Sequence, residues 1–150
     1  MKTLSIALLV TLLAFSGCKK DEVTPQPTEA EKTTAILTSG TGKWTPSSTA
    51  GVTVDGVDVT ADLFKDFSIT FTENKIFTTG TTPVWLREDS WTFKGDDARI
   101  MLRGQDNKEI LIEEITEDQL QISLEWDQTT YAEGGKAKSI PGTFLFTLSK

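Results

Sequence analysis

Apolar and polar residues alternate one for one along several short stretches of this chain, and that period limits the folds open to it. Phe67-Ser-Ile69-Thr-Phe71-Thr72 alternates strictly, and so does Leu120-Gln-Ile122-Ser-Leu124-Glu-Trp126. Ser90 to Phe93, Arg99 to Arg103 and Phe144 to Leu148 carry the same pattern less purely. Successive side chains of a strand point to opposite faces, so alternation places one face on a core and the other in water. From Glu109 to Ile115 the phase breaks. Ile110 and Ile112 share a face, but Glu114 precedes Ile115, which predicts a bulge or a strand end.

The connections between these stretches are short. Asp55-Gly56, between Val52-Thr-Val54 and Val57-Asp-Val59, is a strong hairpin signal. Glu73 to Lys75, Gly95 to Asp97, Gly104 to Lys108 and Glu117-Asp118 are further polar breaks. None has room for a crossover helix, so the sheet is expected to be antiparallel. Eight or nine strands in an all-β chain of this length form an up-and-down barrel or, as the alternative, a β-sandwich. Ahead of them, Thr28-Glu29-Ala30-Glu31 fits a capping box and Gly40 a helix stop. A short helix over about residues 29–38 is expected, with Ile36 and Leu37 free to dock on the domain.

The first residues read differently. Met1-Lys2 is a positive start, Leu4 to Phe15 is apolar apart from Ser5 and Thr11, and Ser16-Gly17 is small. That order is a secretory signal peptide, too short to span a membrane. The next residue, Cys18, is the chain's one cysteine. Phe15-Ser16-Gly17-Cys18 resembles the lipobox of bacterial lipoproteins, with Phe where Leu is usual. The resemblance implies cleavage after Gly17 and lipidation of Cys18. Lys19-Lys20-Asp21-Glu22 resembles the signals that send lipoproteins of Bacteroidota-type bacteria to the outer face of the outer membrane. The periplasmic face is the alternative, and a solvated charged spacer is the plainer reading. Three segments follow: a signal peptide over 1–17, a lipidated flexible tether over 18–27, and a single β domain over 28–150. The tether holds two prolines, many charges and no aromatic residue, so it has too little apolar surface to offset ordering.

Composition excludes several function classes. Without residues 1–17 the chain has 14 basic and 22 acidic residues, a net charge of −8, and it would repel a phosphate backbone. It has no histidine, the commonest general base and metal ligand near neutral pH. A lipidated Cys18 offers no thiol either, so no standard nucleophile–base pair can be assembled. No Gly-rich phosphate loop is present. The expectation is a chain with no catalysis, no cofactor, no metal and no nucleic-acid partner.

The order of elements resembles the small lipocalin-like domains of Bacteroidota surface lipoproteins. Gly42-Lys43-Trp44 is similar to their first strand, Phe67 to Phe71 and Lys75 to Thr78 to the pair that follows, Val84-Trp85 and Ser90 to Phe93 to the middle, and Leu120 to Trp126 to the long late strand. In true lipocalins an arginine from near the last strand lies over that first tryptophan. The basic residues near the end here are Lys136, Lys138 and Lys150. The resemblance implies an eight-stranded barrel, which is either filled by its own side chains or holds one small molecule. Phe67, Phe71, Trp91, Phe93, Trp126, Phe144 and Phe146 are large candidates for the inside, so binding is expected at the rim.

The candidate binding residues are Trp85, Tyr131 and Lys136. Trp85 follows a turn-rich stretch; exposed, it would suit stacking on a sugar or an apolar ligand, and the plainer reading is a core position like that expected of Trp44, Trp91 and Trp126. Tyr131 and Lys136 lie in Asp127 to Gly142, long for a hairpin connection and therefore either a functional lid or a mobile loop. Adjacent acid pairs occur at Glu88-Asp89, Asp96-Asp97 and Glu113-Glu114. Neighbours on a strand diverge, so Glu113 and Glu114 should not converge on one bond, and the other pairs read as solvated. Asp96, Asp97, Asp106 and Asn107 are the oxygen ligands a calcium ion would need, if the two turns lay close together. The leading expectation is binding of a small apolar or glycan ligand, or of a partner protein, at the rim. The alternative is a structural or accessory lipoprotein of a surface complex with no small-molecule ligand.

Overall fold

A computed structural model of the chain describes residues 25–48, 50–127, 129–133, 136–139 and 141–150, with backbone alone over 129–139. The expected signal peptide, Cys18 and most of the tether lie outside the described residues. Helix α1 spans Glu29–Thr38, and strands β1 to β3 span Lys43–Pro46, Val52–Val54 and Val57–Asp58. One turn of helix, α2, covers Thr60–Leu63. Then come β4 (Ser68–Phe71), β5 (Lys75–Thr79), β6 (Glu88–Lys94), β7 (Asp97–Arg103), β8 (Glu109–Ile115) and β9 (Gln119–Trp126). Strands β10 (Thr129–Glu133), β11 (Lys136–Ser139) and β12 (Gly142–Ser149) complete the chain. No helix among the described residues is long and apolar enough to cross a membrane.

The sheet runs β1-β4-β5-β6-β7-β8-β9-β12, and β12 pairs back onto β1, closing an antiparallel barrel of eight strands. Strand β2 continues along the same edge of β12 as β1 and carries β3 as a hairpin through Asp55-Gly56. The barrel expected from alternation is therefore the fold, and the sandwich is not. The phase break in β8 is a register shift between Ile112 and Glu114 against β9. It leaves both Glu113 and Glu114 exposed, so the expectation that they diverge is corrected: both line one groove on the outside of the barrel.

The two ends differ. At one end lie α1, the β4–β5, β6–β7 and β8–β9 turns, and the C-terminus. The expected capping box is present, with Thr28 accepting from the Glu31 N–H and Glu31 from the Thr28 N–H. Leu37 is fully buried, and its carbonyl accepts from Trp44 Nε1 at 3.0 Å. Lys150 Nζ stands 4.4 Å from the centre of the Trp44 ring and donates to the Ile36 carbonyl, so one lysine joins the last residue, the first strand and the C-terminal turn of α1.

The other end carries α2, the β5–β6 connection, the β7–β8 turn and the path from β9 to β12. Here the inside is filled largely by residues off the strands. Leu63, Phe64 and Phe67 come from α2 and the turn after it, and Val84 and Trp85 from the β5–β6 connection; all are buried. They close around Phe144 and Phe146, with Phe64 5.3 Å and Trp85 5.4 Å from the Phe146 ring, both edge-on. Trp85 is thus a core residue, as the plainer reading of the sequence expected, and not an exposed stacking platform. Phe93 and Trp126, expected inside, are half-buried and pack against the core from its margin.

Gly80 fixes how the β5–β6 connection meets the α2 turn. Its φ is +73°, and a Cβ there would overlap the Asp66 carbonyl. Gly40 has φ +65° with nothing within 4 Å. Both positions carry the backbone strain of a left-handed non-glycine residue, but only Gly80 adds the overlap. Gly80→Ala should therefore cost about 2 kcal/mol more than Gly40→Ala, a difference of roughly 8 °C in thermal midpoint. Equal losses in a calorimetric comparison would show that close approach at Gly80 is not what holds the segment.

Candidate functional site

The residue that organises the end opposite α1 is Arg103, which alternation alone did not mark as buried. It ends β7, points inward opposite Trp91, and is 2% exposed. Its Nε donates to Asp106 Oδ1 at 3.1 Å, its Nη2 ion-pairs with Asp106 Oδ2, and its Nη1 donates to the Val84 carbonyl at 2.5 Å. The guanidinium carbon lies 5.7 Å from the Trp85 ring centre and 5.3 Å from that of Trp126. One buried cation is thus forked onto a carboxylate, bonded to the β5–β6 connection, and flanked by two indoles. A planar guanidinium can do all three at once; an ammonium cannot.

The turn after Arg103 supports the arrangement. Asp106 also accepts from the Lys108 N–H, at 3.1 Å. Partial burial pushes the Asp106 carboxyl up, but bonds from Arg103 and Lys108 and their charges outweigh it and hold it below its usual value. Lys108 Nζ lies 4.9 Å from the Trp126 ring centre and 3.0 Å from Asp127, whose carboxyl is lowered chiefly by that bond.

Asp89 corrects another expectation. Its neighbour Glu88 is exposed and ion-paired with Lys75, but Asp89 faces inward and is 6% exposed. Its Oδ1 accepts from the Ser90 N–H at 2.8 Å and the Gln105 N–H at 3.2 Å. Its Oδ2 has no partner among the described residues, and neither has Nε1 of Trp85 or of Trp126. The tryptophans nearer the helix-capped end are different, for Nε1 of Trp44 and Trp91 donates at 3.0 Å to the carbonyls of Leu37 and Thr72. Each orphaned buried polar group costs about 1–3 kcal/mol. All three lie near or at the end opposite α1.

Tyr131 and Lys136 fall on a separate two-stranded ribbon that lies between β9 and β12 in the chain, rather than on an unstructured loop. Tyr131 is opposite Lys138, and Lys136 opposite Glu133. Their side chains lie outside the described residues, as do Gly134 and Gly135. The ribbon springs from the end that holds Trp85, so the chain brings the segments of all three candidate residues to one end.

The two turns weighed as calcium ligands, against the plainer reading of solvated turn residues, lie far apart. Asp96-Asp97 and Asp106-Asn107 lie at opposite ends of β7, whose seven residues span roughly 20 Å. Among the described residues no cluster of three or more potential metal ligands occurs. The groove of about 720 Å³ between α1 and β7–β8 is lined by Glu29, Asp96, Asp97, Glu113 and Glu114 with Arg99. Arg99 is committed to the Ile112 and Glu113 carbonyls. That groove is acidic surface outside the barrel.

The inward phase of β7 was the signal for Arg103. Met101 is an evident core residue, and position 103 shares its parity. A charged side chain defaults to water in such a reading, and nothing local reveals that Asp106, three residues on, and two distant indoles compensate its burial.

No protein-family model, curated protein or solved structure matches the chain.

Proposed function

We propose that this chain is a non-catalytic lipoprotein of an outer membrane, held through Cys18 and exposed at the cell surface. On this reading its barrel binds a small apolar or glycan ligand, or a partner protein, at the barrel rim. The observation that carries the reading is the polarity of the barrel. Helix α1 lies across one end, so a tether over 18–27 leaves from there, and the opposite end, with Arg103, Trp85 and the ribbon, is left clear of the attachment. The inside is filled by aromatic and aliphatic side chains, which leaves the rim as the place for recognition. The resemblance to lipocalin-like lipoproteins is supported by Lys150, which stands over Trp44 where lipocalins place an arginine. The lipobox-like Phe15 to Cys18 and the Lys19-Lys20-Asp21-Glu22 run support attachment and export.

An accessory role in a surface complex is the second reading. It is favoured by the filled interior and by the exposed apolar residues Val57 and Leu86 at the rim end.

Native mass spectrometry of the mature protein from its own host tests the binding half. A defined small adduct, lost in Trp85→Ala, is the expected result. A clean apo mass accompanied by a stoichiometric protein partner would favour the accessory role; a clean apo mass alone would count against both forms of rim recognition.

A further inference from the structure

We infer that the outer wall of the barrel, across β7, β8, β9 and β12, docks a protein segment whose aliphatic side chains are flanked by lysine or arginine. The surface lies on the side of the barrel and stands apart from recognition at the rim. The outward phase of these strands faces water, yet part of it is apolar. Leu111 alternates with the buried Ile110 and Ile112 and is 38% exposed. Register sets Ile100 of β7 on one side of it and Ser123 of β9 on the other, and beyond Ser123 stands Leu145 of β12. Ile100 and Leu145 are half-buried. Residues directly opposite on neighbouring strands share a face, so the row is one surface strip. Ile100, Leu111 and Ser123 line a depression of about 370 Å³ within it.

The border of that depression carries one sign of charge. Glu109, Glu113 and Glu125 line it as well. Glu109 is ion-paired with Lys94. Glu113 accepts from the Ser123 hydroxyl at 2.7 Å and Glu125 from the Thr143 hydroxyl at 2.9 Å, and neither has an ion-pair partner among the described residues. A hydroxyl is neutral, so both carboxylates keep their full charge beside the strip. Arg99 does not offset them, because its guanidinium is turned onto the carbonyls of Ile112 and Glu113. Glu113 also lines the groove beside α1, where Asp96, Asp97 and Glu114 continue the same sign.

An aliphatic strip edged by unpaired carboxylates selects its occupant. A second copy of this wall would set acids against acids. A wholly apolar segment would cover Glu113 and Glu125 with no cation to compensate them, which is unfavourable. A polyamine would meet the acids and leave Ile100, Leu111 and Leu145 in water. A segment with aliphatic side chains between basic ones covers the strip and pairs the acids together.

The test is fluorescence anisotropy of labelled synthetic peptides titrated with the mature full chain. One peptide places a block of leucines between lysine pairs. In a second the lysines become glutamates, and in a third the leucines become serines. The leucine–lysine peptide should bind saturably and more weakly as salt is raised, with both others about tenfold weaker or silent. Leu111→Ser should weaken it about tenfold, and so should Glu113→Gln combined with Glu125→Gln. Glu73→Gln combined with Glu117→Gln removes as much charge from exposed positions elsewhere and should change it little. Thermal melts establish that the variants are folded. Silence of the leucine–lysine peptide overturns the proposal, as does binding unchanged in the folded Leu111 and Glu113/Glu125 variants. An equal loss in the Glu73/Glu117 variant reduces the effect to general charge attraction and overturns it too. Dimers of the mature chain that Leu111→Ser abolishes would overturn the basic partner in favour of a second copy. None of these results bears on the rim, which the native mass measurement addresses.

Discussion

Arg103→Ala should lower the unfolding free energy of the mature protein by about 3 kcal/mol, read as a fall in urea midpoint at constant slope. The size follows from what is left behind. The Val84 carbonyl loses its donor, two indoles lose their cation, and a void opens under the β5–β6 connection. Asp106 also loses its partner, but its side chain is 34% exposed and recovers water, so this part of the loss is small. Arg103→Lys should recover less than half, because one ammonium cannot fork onto Asp106 and reach Val84 as well. Acid gives an independent check. The Asp106 carboxyl is lowered in the folded state, so its contribution is present above the unfolded value near pH 4 and is lost as pH falls through the lower folded value. The gap between wild type and Arg103→Ala should therefore narrow below about pH 4. A loss under 1 kcal/mol at pH 7 would mean that the guanidinium does not organise this end.

The second large effect concerns attachment. Cys18→Ala should move nearly all of the protein from the membrane fraction to the soluble fraction of the host. Each buried CH₂ contributes about 0.8 kcal/mol, and one acyl chain alone holds only marginally. The two or three chains of a mature lipoprotein make release negligible, whereas the substituted chain keeps no covalent lipid. Fractionation with immunodetection checks it, and surface proteolysis of intact cells separates outward from periplasmic display. A Cys18→Ala protein that still sediments with membranes would refute the lipobox reading, leaving the account of the barrel untouched.

Local rules made much of the fold legible. The capping box at Thr28 and Glu31 and the Asp55-Gly56 hairpin depend on neighbours a few residues away, and both formed where the sequence placed them. The phase break in β8 announced its bulge for the same reason. Trp91 followed from alternation alone. The candidate site was less legible. Trp85 was singled out because it falls outside the alternation, and Tyr131 and Lys136 because their segment is long. The pairing that makes this segment a ribbon is local, from Glu133 opposite Lys136 to Thr129 opposite Ser139, but length was the only signal read from it.

Arg103 and Asp89 mark the boundary. Each looks, in sequence, like a charged residue in water, and each is buried. Sequence determined on its own the period of two, the antiparallel connections, the helix ahead of the strands and the exclusion of histidine chemistry, because these rest on local backbone preferences and on which side chains exist. Only the tertiary structure decided which end of the barrel is capped, which carboxylate answers Arg103, and where polar groups are left unmet. Burying a charge is unfavourable until distant partners compensate it, and closure of the barrel alone brings Trp85, Arg103 and Trp126 together.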